Sequence, residues 1–233
     1  IYLTFKKALN KSSLISFYLI FFLIFFQGLI GWYMVKSGLS ERTDVSHYRL
    51  ALHLTLAFVI FVLLLWNYFK YKAYQDLNSY RKLPFNLPIF FICLIFLQII
   101  IGAFVSGLDA GQVYQSWPLM NKSYFPDDSN LKDLFSLNFF NTPSLVQFIH
   151  RNLAYIIILI FIITATIIFK NKDFTYMRTT ILLVFASLSL QIVLGILTVL
   201  SGAQIILASM HQIGSIYLVA TSLILVFKNS RIN

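Results

Sequence analysis

The sequence predicts an all-α integral membrane protein with six transmembrane helices. Of its 233 residues, 59% are hydrophobic and only 11% are charged, whereas an ordinary soluble domain has about 45–50% apolar and about 25% charged residues. Uncharged stretches of roughly 20 residues, long enough to cross about 30 Å of hydrocarbon, recur along the chain. These stretches are continuous rather than alternating, which favours helices over a β-barrel. The composition therefore excludes a soluble globular domain and a disordered chain.

The six predicted spans follow from where the uncharged stretches begin and end. The last stretch, residues 179–227, is too long for one helix, and we divide it at Ser201-Gly202-Ala203 because a glycine among small residues favours a turn. The first span is longer than the apolar core of a signal peptide, and no small-residue cleavage site follows it. The spans are residues 12–35, 50–69, 83–108, 146–169, 179–200 and 205–227.

The net charge of +10 is distributed unequally between the two sides of the membrane. The connections on the side of the two termini are strongly basic, and those on the opposite side are balanced in charge. Because basic residues stay on the cytoplasmic side of membrane proteins, we expect both termini on the cytoplasmic or mitochondrial-matrix side. A strongly basic soluble protein would suggest nucleic-acid binding. Here the basic residues are explained by the orientation of the helices in the membrane, so the charge does not indicate nucleic-acid binding.

One connection, residues 109–145, is long and is predicted to lie on the outer side. Its Trp117-Pro118 pair suits the membrane–water boundary, and its apolar residues 134–140 are expected to lie along the interface. Cys93 is the only cysteine, so no disulfide and no cysteine-ligated metal centre forms within the chain. We expect Cys93 to be a small, buried apolar residue.

A glutamine followed four residues later by a glycine occurs in the first, third and fifth spans. In each case the next span carries a histidine, which suggests three similar helix pairs. A glycine in a membrane helix also serves close packing without any repeat, and both explanations are open at this point. The residues of the pattern are Gln27 and Gly31, Gln98 and Gly102, and Gln191 and Gly195.

Three of the four histidines lie inside predicted spans at a similar depth. His53, His150 and His211 each lie within about two turns of the outer end of their helix. Ionisable groups are rare in membrane spans and mark functional sites, so we expect these imidazoles to bind one or two shared cofactors. The alternative for each is a hydrogen bond to a neighbouring helix. His47 precedes its span and is expected to be interfacial.

A haem suits these histidines better than a zinc or copper ion does. Zinc or copper needs three or four converging donors, and the spans contain no glutamate and no second cysteine. A haem needs only one or two axial imidazoles, so His150 and His211 are predicted to hold one low-spin haem and His53 to mark a second site. Arg151 and Arg49 lie near the outer boundary, where they either pair with haem propionates or extend to the interface.

Several motifs follow one another along the chain: residues 31–39 (GWYMVKSGL), 45–53 (VSHYRLALH), 107–111 (GLDAG), 117–120 (WPLM), 147–151 (QFIHR) and His211-Gln212. Together they resemble haem A synthase of the proteobacterial and mitochondrial type, in the order of that family. The resemblance covers essentially the whole chain. One departure is Trp117, because the family often has phenylalanine before Pro-Leu-Met.

The resemblance implies a division of the chain into two parts. The family has eight spans in two pseudo-symmetric halves, so residues 1–82 correspond to part of a substrate-side half and residues 83–233 to a complete four-helix bundle. That bundle would hold haem b between His150 and His211. His53 would be the catalytic-site ligand of the substrate, haem O. The family's partner histidine and a glutamate considered important for catalysis lie on its second helix and have no counterpart here, so we expect an N-terminally truncated chain that lacks the first two transmembrane helices.

The implied reaction oxidises a ring methyl of haem O to a formyl group through successive hydroxylations, giving haem A for cytochrome oxidase while haem b passes electrons. The implied setting is the bacterial or mitochondrial inner membrane, with membrane lipid, haem O synthase and an electron donor as partners. We expect the chain by itself to bind haem without forming haem A. Two alternatives are a membrane b-type cytochrome that serves electron transfer only, and a transporter or assembly factor whose histidines serve packing.

Overall fold

Six long α-helices dominate the structure, a computed structural model that describes residues 11–38, 45–73 and 82–230. Within these ranges there is no β-strand, only one isolated bridge between Met120 and Ser123. Each long helix is apolar enough to cross a membrane, which confirms the predicted all-α fold class and a multi-pass membrane protein. The helices are α1 (Lys11–Gly38), α2 (His47–Ala73), α3 (Leu87–Gly107), α4 (Pro143–Lys170), α5 (Arg178–Leu200) and α6 (Ile205–Ser230).

The helix ends follow local sequence signals. Pro143 is at the first position of α4, where a residue without a backbone N–H is tolerated because that N–H would have no helical partner. Gly202 and Ala203 have positive φ angles of 68° and 61° and form the turn between α5 and α6, as the division of the last apolar stretch predicted. The helix α2 begins at His47. We had expected His47 to precede this span, and it is instead the first residue of the helix.

The long connection between α3 and α4, which we call the outer connection after its predicted side of the membrane, is built from short turns rather than from regular structure. Because α4 begins at Pro143, the last three residues of the predicted loop belong to that helix. Phe135 and Leu137, in the segment expected along the interface, are 92% and 85% exposed. The turns are 3-10 helices at Ala110–Gln112, Leu131–Phe135 and Leu137–Asn141.

The outer surface of the helices is as apolar as the interior. Phe21 and Phe22 of α1 are 68% and 71% exposed. Cys93 lies on an exposed face of α3, so the prediction of a buried cysteine was wrong. In a membrane protein the surface that contacts lipid is itself apolar, and hydrophobicity therefore does not separate inside from outside.

The helices pack as consecutive pairs that share one core. The most extensive contacts are between α5 and α6, between α3 and its neighbours α2 and α4, and between α1 and α2. The helix α6 also packs against α3 and α2, whereas α4 and α6 are not a closely packed pair. Ala51 and Phe58 of α2 belong to the same buried cluster as Phe91 and Val219. The division of the chain near residue 82 stays a prediction, and part of that connection lies outside the described residues.

Candidate functional site

The three membrane histidines occupy equivalent positions in the structure. His53 and His211 are the seventh residues of α2 and α6, and His150 is the eighth residue of α4. At 1.5 Å per residue, each lies about 10 Å along the axis from the start of its helix. All three side chains are partly buried. Each is carried by the second helix of a pair, and the first helix of the pair carries the glutamine and glycine of the repeated pattern.

In the α3–α4 pair, Gln98 and Gly102 both contact His150. The carboxamide nitrogen of Gln98 donates to the backbone oxygen of His150 at 3.0 Å and lies 3.2 Å from the ring atom Nε2. A Cβ placed on Gly102 would lie only 3.1 Å from the ring carbon Cε1. Glycine at this position therefore lets the imidazole pack directly against the backbone of α3.

The α1–α2 pair repeats the arrangement around His53. The carboxamide nitrogen of Gln27 donates to the backbone oxygen of His53 at 3.0 Å and lies 3.3 Å from Nε2. A Cβ on Gly31 would again be 3.1 Å from Cε1. The four-residue spacing places the glutamine and the glycine on one face of the helix, one turn apart, which is why a single short pattern can contact both the backbone and the ring of one histidine.

The α5–α6 pair keeps the glycine contact and the glutamine bond to the histidine's backbone oxygen, and its glutamine also contacts a second backbone group. A Cβ on Gly195 would lie 3.1 Å from Cε1 of His211. With the amide of Gln191 oriented so that both of its polar atoms are satisfied, its nitrogen donates to the backbone oxygen of His211 at 3.0 Å and its oxygen accepts from the Ser215 N–H at 3.1 Å. The third pair therefore braces the helix backbone at His211.

These histidines have the donor atoms that a haem iron requires. The Nδ1 atoms of His53, His150 and His211 are buried, and within the described residues they have no hydrogen-bond partner. Across the described ranges, no three histidine, cysteine or acidic side chains converge on a common point. A cofactor that needs only axial imidazoles fits this donor set, and a bare ion with three or four protein ligands does not.

Comparison with known proteins shows the family to which this chain belongs. A family model described as "Cytochrome oxidase assembly protein" matches residues 1–223. The chain belongs to that family. It is 45% identical over 232 residues to "Heme A synthase" of Pelagibacter ubique, in an alignment that covers 98% of this chain and 66% of the relative. The protein of the same name from Ehrlichia ruminantium is 40% identical, with 97% of this chain and 63% of the relative covered. The chain thus spans just under two thirds of the length of these relatives.

The two arginines that we expected either to pair with haem propionates or to extend to the interface have different surroundings in this family member. Arg151 donates to the backbone oxygens of Ser116 at 2.8 Å and Tyr114 at 2.9 Å, both in the outer connection. Arg49 lies over the ring of Tyr33, with its guanidinium carbon 4.8 Å from the ring centre. The guanidinium of Arg151 therefore secures the connection above His150, and a propionate contact for either arginine stays a prediction.

The outer connection forms a cap over α4 through contacts that the sequence analysis did not predict. The side chain of Gln147 is buried and donates to the backbone oxygen of Tyr114 at 3.0 Å. The Tyr114 hydroxyl donates to Asp127, and burial, aided by that hydrogen bond, raises the pKa of Tyr114 to about 12. A glutamine one turn before His150 in the helix is the sequence signal that could have indicated this contact.

His47 also contacts the outer connection. Its Nε2 atom lies 3.1 Å from the side-chain oxygen of Asn141, and the Tyr48 hydroxyl donates to the same oxygen at 3.2 Å. A Cβ on Gly107 would lie 2.7 Å from the Cα of His47. His47 thus joins the start of α2 to the outer end of α3 and to the chain just before α4. It has neither a glutamine nor a ring-facing glycine of the kind found at the other histidines.

Proposed function

We propose that this chain serves haem A synthesis, with His150 and His211 as the axial ligands of a haem b and His53 as a ligand of the substrate, haem O. The observation that carries the proposal is the glycine-and-glutamine environment that recurs at all three histidines. Membership of a cytochrome oxidase assembly family supports it. The relatives named "Heme A synthase" align with 98% and 97% of this chain.

The His150–His211 pair suits a haem held between two helices. The two residues lie on α4 and α6, which are not packed closely against each other, and the proposal places a planar ring between the helices that carry them. A haem with two imidazole ligands supplies one-electron transfer. The chain's own residues fix where this occurs, because Gly102 and Gly195 place both rings against neighbouring backbones.

His53 is assigned to the substrate side. We infer that the imidazole of His53 would hold haem O with one ring methyl placed for oxidation to a formyl group. That oxidation removes electrons from the methyl carbon and adds an oxygen atom, so a bound haem b would supply one-electron transfer between this site and a redox partner in the inner membrane. Haem O synthase would supply the substrate, and both termini would lie on the cytoplasmic or matrix side. A b-type cytochrome with a single haem would use His150 and His211 equally well, but it gives no role to the matching environment of His53.

The test is an absorption spectrum with pyridine haemochrome analysis of the purified full chain. The wild type is expected to hold haem b, and His150→Ala and His211→Ala are each expected to lose it because either change removes one axial ligand. The matched control is His47→Ala, which removes a histidine that contacts Asn141 instead and should leave the Soret band unchanged. Haem retained at the wild-type level in both ligand variants would overturn the assignment.

A further inference from the structure

We propose that the outer connection is a seal that keeps water at this end of the helices away from His150, and that Arg151 and Gln147 hold the seal closed. The inference rests on the proposed haem b site, whose surroundings the seal would keep dry. Two observations carry it. The connection is buried in the outer end of the helix bundle, and side chains of α4 hold its backbone there through hydrogen bonds.

The outer connection enters the bundle instead of running over its surface. Ala110, Tyr114 and Met120 are 0%, 3% and 1% exposed, although segments that connect helices usually lie on the surface. The connection packs against α4, and Leu145 and Val146 in the first turn of α4 are both 0% exposed. The outer end of α4 is therefore covered by packed side chains.

The same connection reaches from α4 to the turn between α5 and α6. A Cβ on Gly111 would lie 3.0 Å from the Cβ of Ala203, and a Cβ on Gly202 would lie 3.0 Å from the carboxamide nitrogen of Gln115. Glycine at these two positions lets the connection and the turn approach closely. The connection thus covers the outer ends of α4 and α6, the helices that carry the two proposed haem b ligands.

Arg151 and Gln147 hold the connection from α4. Both side chains donate to one acceptor, the backbone oxygen of Tyr114, at 2.9 Å and 3.0 Å. Arg151 also donates to the backbone oxygen of Ser116 at 2.8 Å. Residues four apart lie on the same face of a helix, so the two side chains reach the same stretch of the connection. Because a buried carbonyl without a donor costs free energy, these bonds allow the backbone at Tyr114 to be buried.

The seal lies above the face of α4 that carries His150. Val146 precedes His150 by four residues, so it lies on the same face, one turn closer to the outer end. Val146 belongs to the buried core of the bundle. A path for water from the outer end along this face of α4 passes Val146 before it reaches the imidazole of His150.

A closed seal affects a haem b bound at His150 in two ways. Solvent access and the polarity of the surroundings tune the reduction potential of a haem. A dry site favours the ferrous form, because ferric haem carries one more positive charge and burial of charge is costly. A water-soluble reductant at this end of the helices reaches the haem only when the seal opens, so opening limits the rate of its reaction.

The first test measures the seal without a haem, in the purified full chain in lipid nanodiscs. In a Cys93→Ala background, Val146→Cys places a thiol at a position that is 0% exposed, and a charged, membrane-impermeant thiol reagent reports water access. Labelling is expected to be slow. Arg151→Gln should make it about 10- to 100-fold faster, because loss of charge-assisted hydrogen bonds raises the population of the open state. Gln147→Leu should give a smaller increase.

Two controls calibrate the labelling rate. Ser123→Cys, at an exposed position of the same connection, should label rapidly in every background. Arg49→Gln removes a guanidinium that lies over Tyr33 and should leave the labelling of Val146→Cys unchanged. Labelling of Val146→Cys as fast as that of Ser123→Cys would overturn the seal, and a rate that Arg151→Gln does not raise would overturn the role of Arg151.

The second test needs no new cysteine, so it decides the question if Val146→Cys fails to fold. Reduction of ferric haem b by dithionite, a small water-soluble anion, is followed in the wild type, Arg151→Gln and Gln147→Leu. Both variants should be reduced faster, and Gln147→Leu separates opening of the seal from loss of positive charge. Equal rates in all three would contradict the inference. A wild type without haem, or a haem that survives loss of both His150 and His211, would overturn the proposed haem b site, whereas the labelling rates would still decide the seal.

Discussion

The α1–α2 and α3–α4 pairs contain the same contact in different surroundings. The glutamine-to-Nε2 distance is 3.3 Å at His53 and 3.2 Å at His150, and the distance to the backbone oxygen is 3.0 Å in both. Yet the residue after His150 is Arg151, which holds the outer connection above α4, whereas Arg49 near His53 lies over Tyr33 of its own helix pair. The repeated motif sets the geometry of each histidine, and the neighbouring structure distinguishes one site from the other.

The largest effect is expected from adding side-chain volume at the glycine that contacts His150. A Cβ at Gly102 would already be 3.1 Å from Cε1, so Gly102→Val should displace the imidazole. Overpacking of this kind costs about 1–3 kcal/mol of folding stability. Because a displaced imidazole no longer points correctly at the iron, haem b affinity should fall by about 10- to 100-fold. Gly31→Val should disturb only His53 and leave haem b affinity within about twofold. Haem titration of the purified chains measures both.

The control for added volume is Gly28→Val. Gly28 lies on α1 near Gly31, and a Cβ there would have no neighbour within 4 Å. We expect wild-type haem binding and wild-type thermal stability in this variant. Equal losses from Gly102→Val and Gly31→Val would show that the two sites are not independent and would contradict the comparison.

A smaller effect is expected when the outer connection loses its anchor. Arg151→Gln removes charge-assisted hydrogen bonds to Tyr114 and Ser116, a loss of about 2 kcal/mol. Amide hydrogen exchange in residues 112–121 should become about 10- to 100-fold faster. Arg49→Gln removes a ring contact worth about 0.5–1 kcal/mol and should leave exchange in that segment unchanged. Faster exchange in both variants would mean that the two arginines share one role.

The smallest expected effect is a loss of stability of the outer connection at high pH. The pKa of Tyr114 is raised from 10.0 to about 12, so the folded state binds this proton more tightly than the unfolded chain does. Its stabilising contribution is complete below pH 10.0 and is lost as the pH rises to about 12. Between these values the connection should become more open to proteolysis in the wild type. Tyr114→Phe should remove that pH dependence, and a pH dependence unchanged in this variant would contradict the assignment.

The sequence was sufficient for the spans and for the depth of the histidines, because both depend on the length of apolar runs and on position within them. The contact of Gln98 with His150 could not be predicted, since it depends on the register between two helices. Arg151 illustrates the same limit, because its partners in the outer connection lie more than thirty residues away. Cys93 was placed wrongly because a lipid-facing surface is as apolar as a core.

Electron paramagnetic resonance of the purified chain, measured on wild type, His53→Ala and His150→Ala at equal protein concentration, tests the central claim most directly. A haem with two imidazole ligands gives a low-spin signal, and we expect this signal in the wild type. We also expect that His53→Ala keeps the low-spin haem b signal and that His150→Ala loses it. A low-spin signal that survives in His150→Ala, or one that depends equally on His53, would contradict the assignment of haem b to His150 and His211.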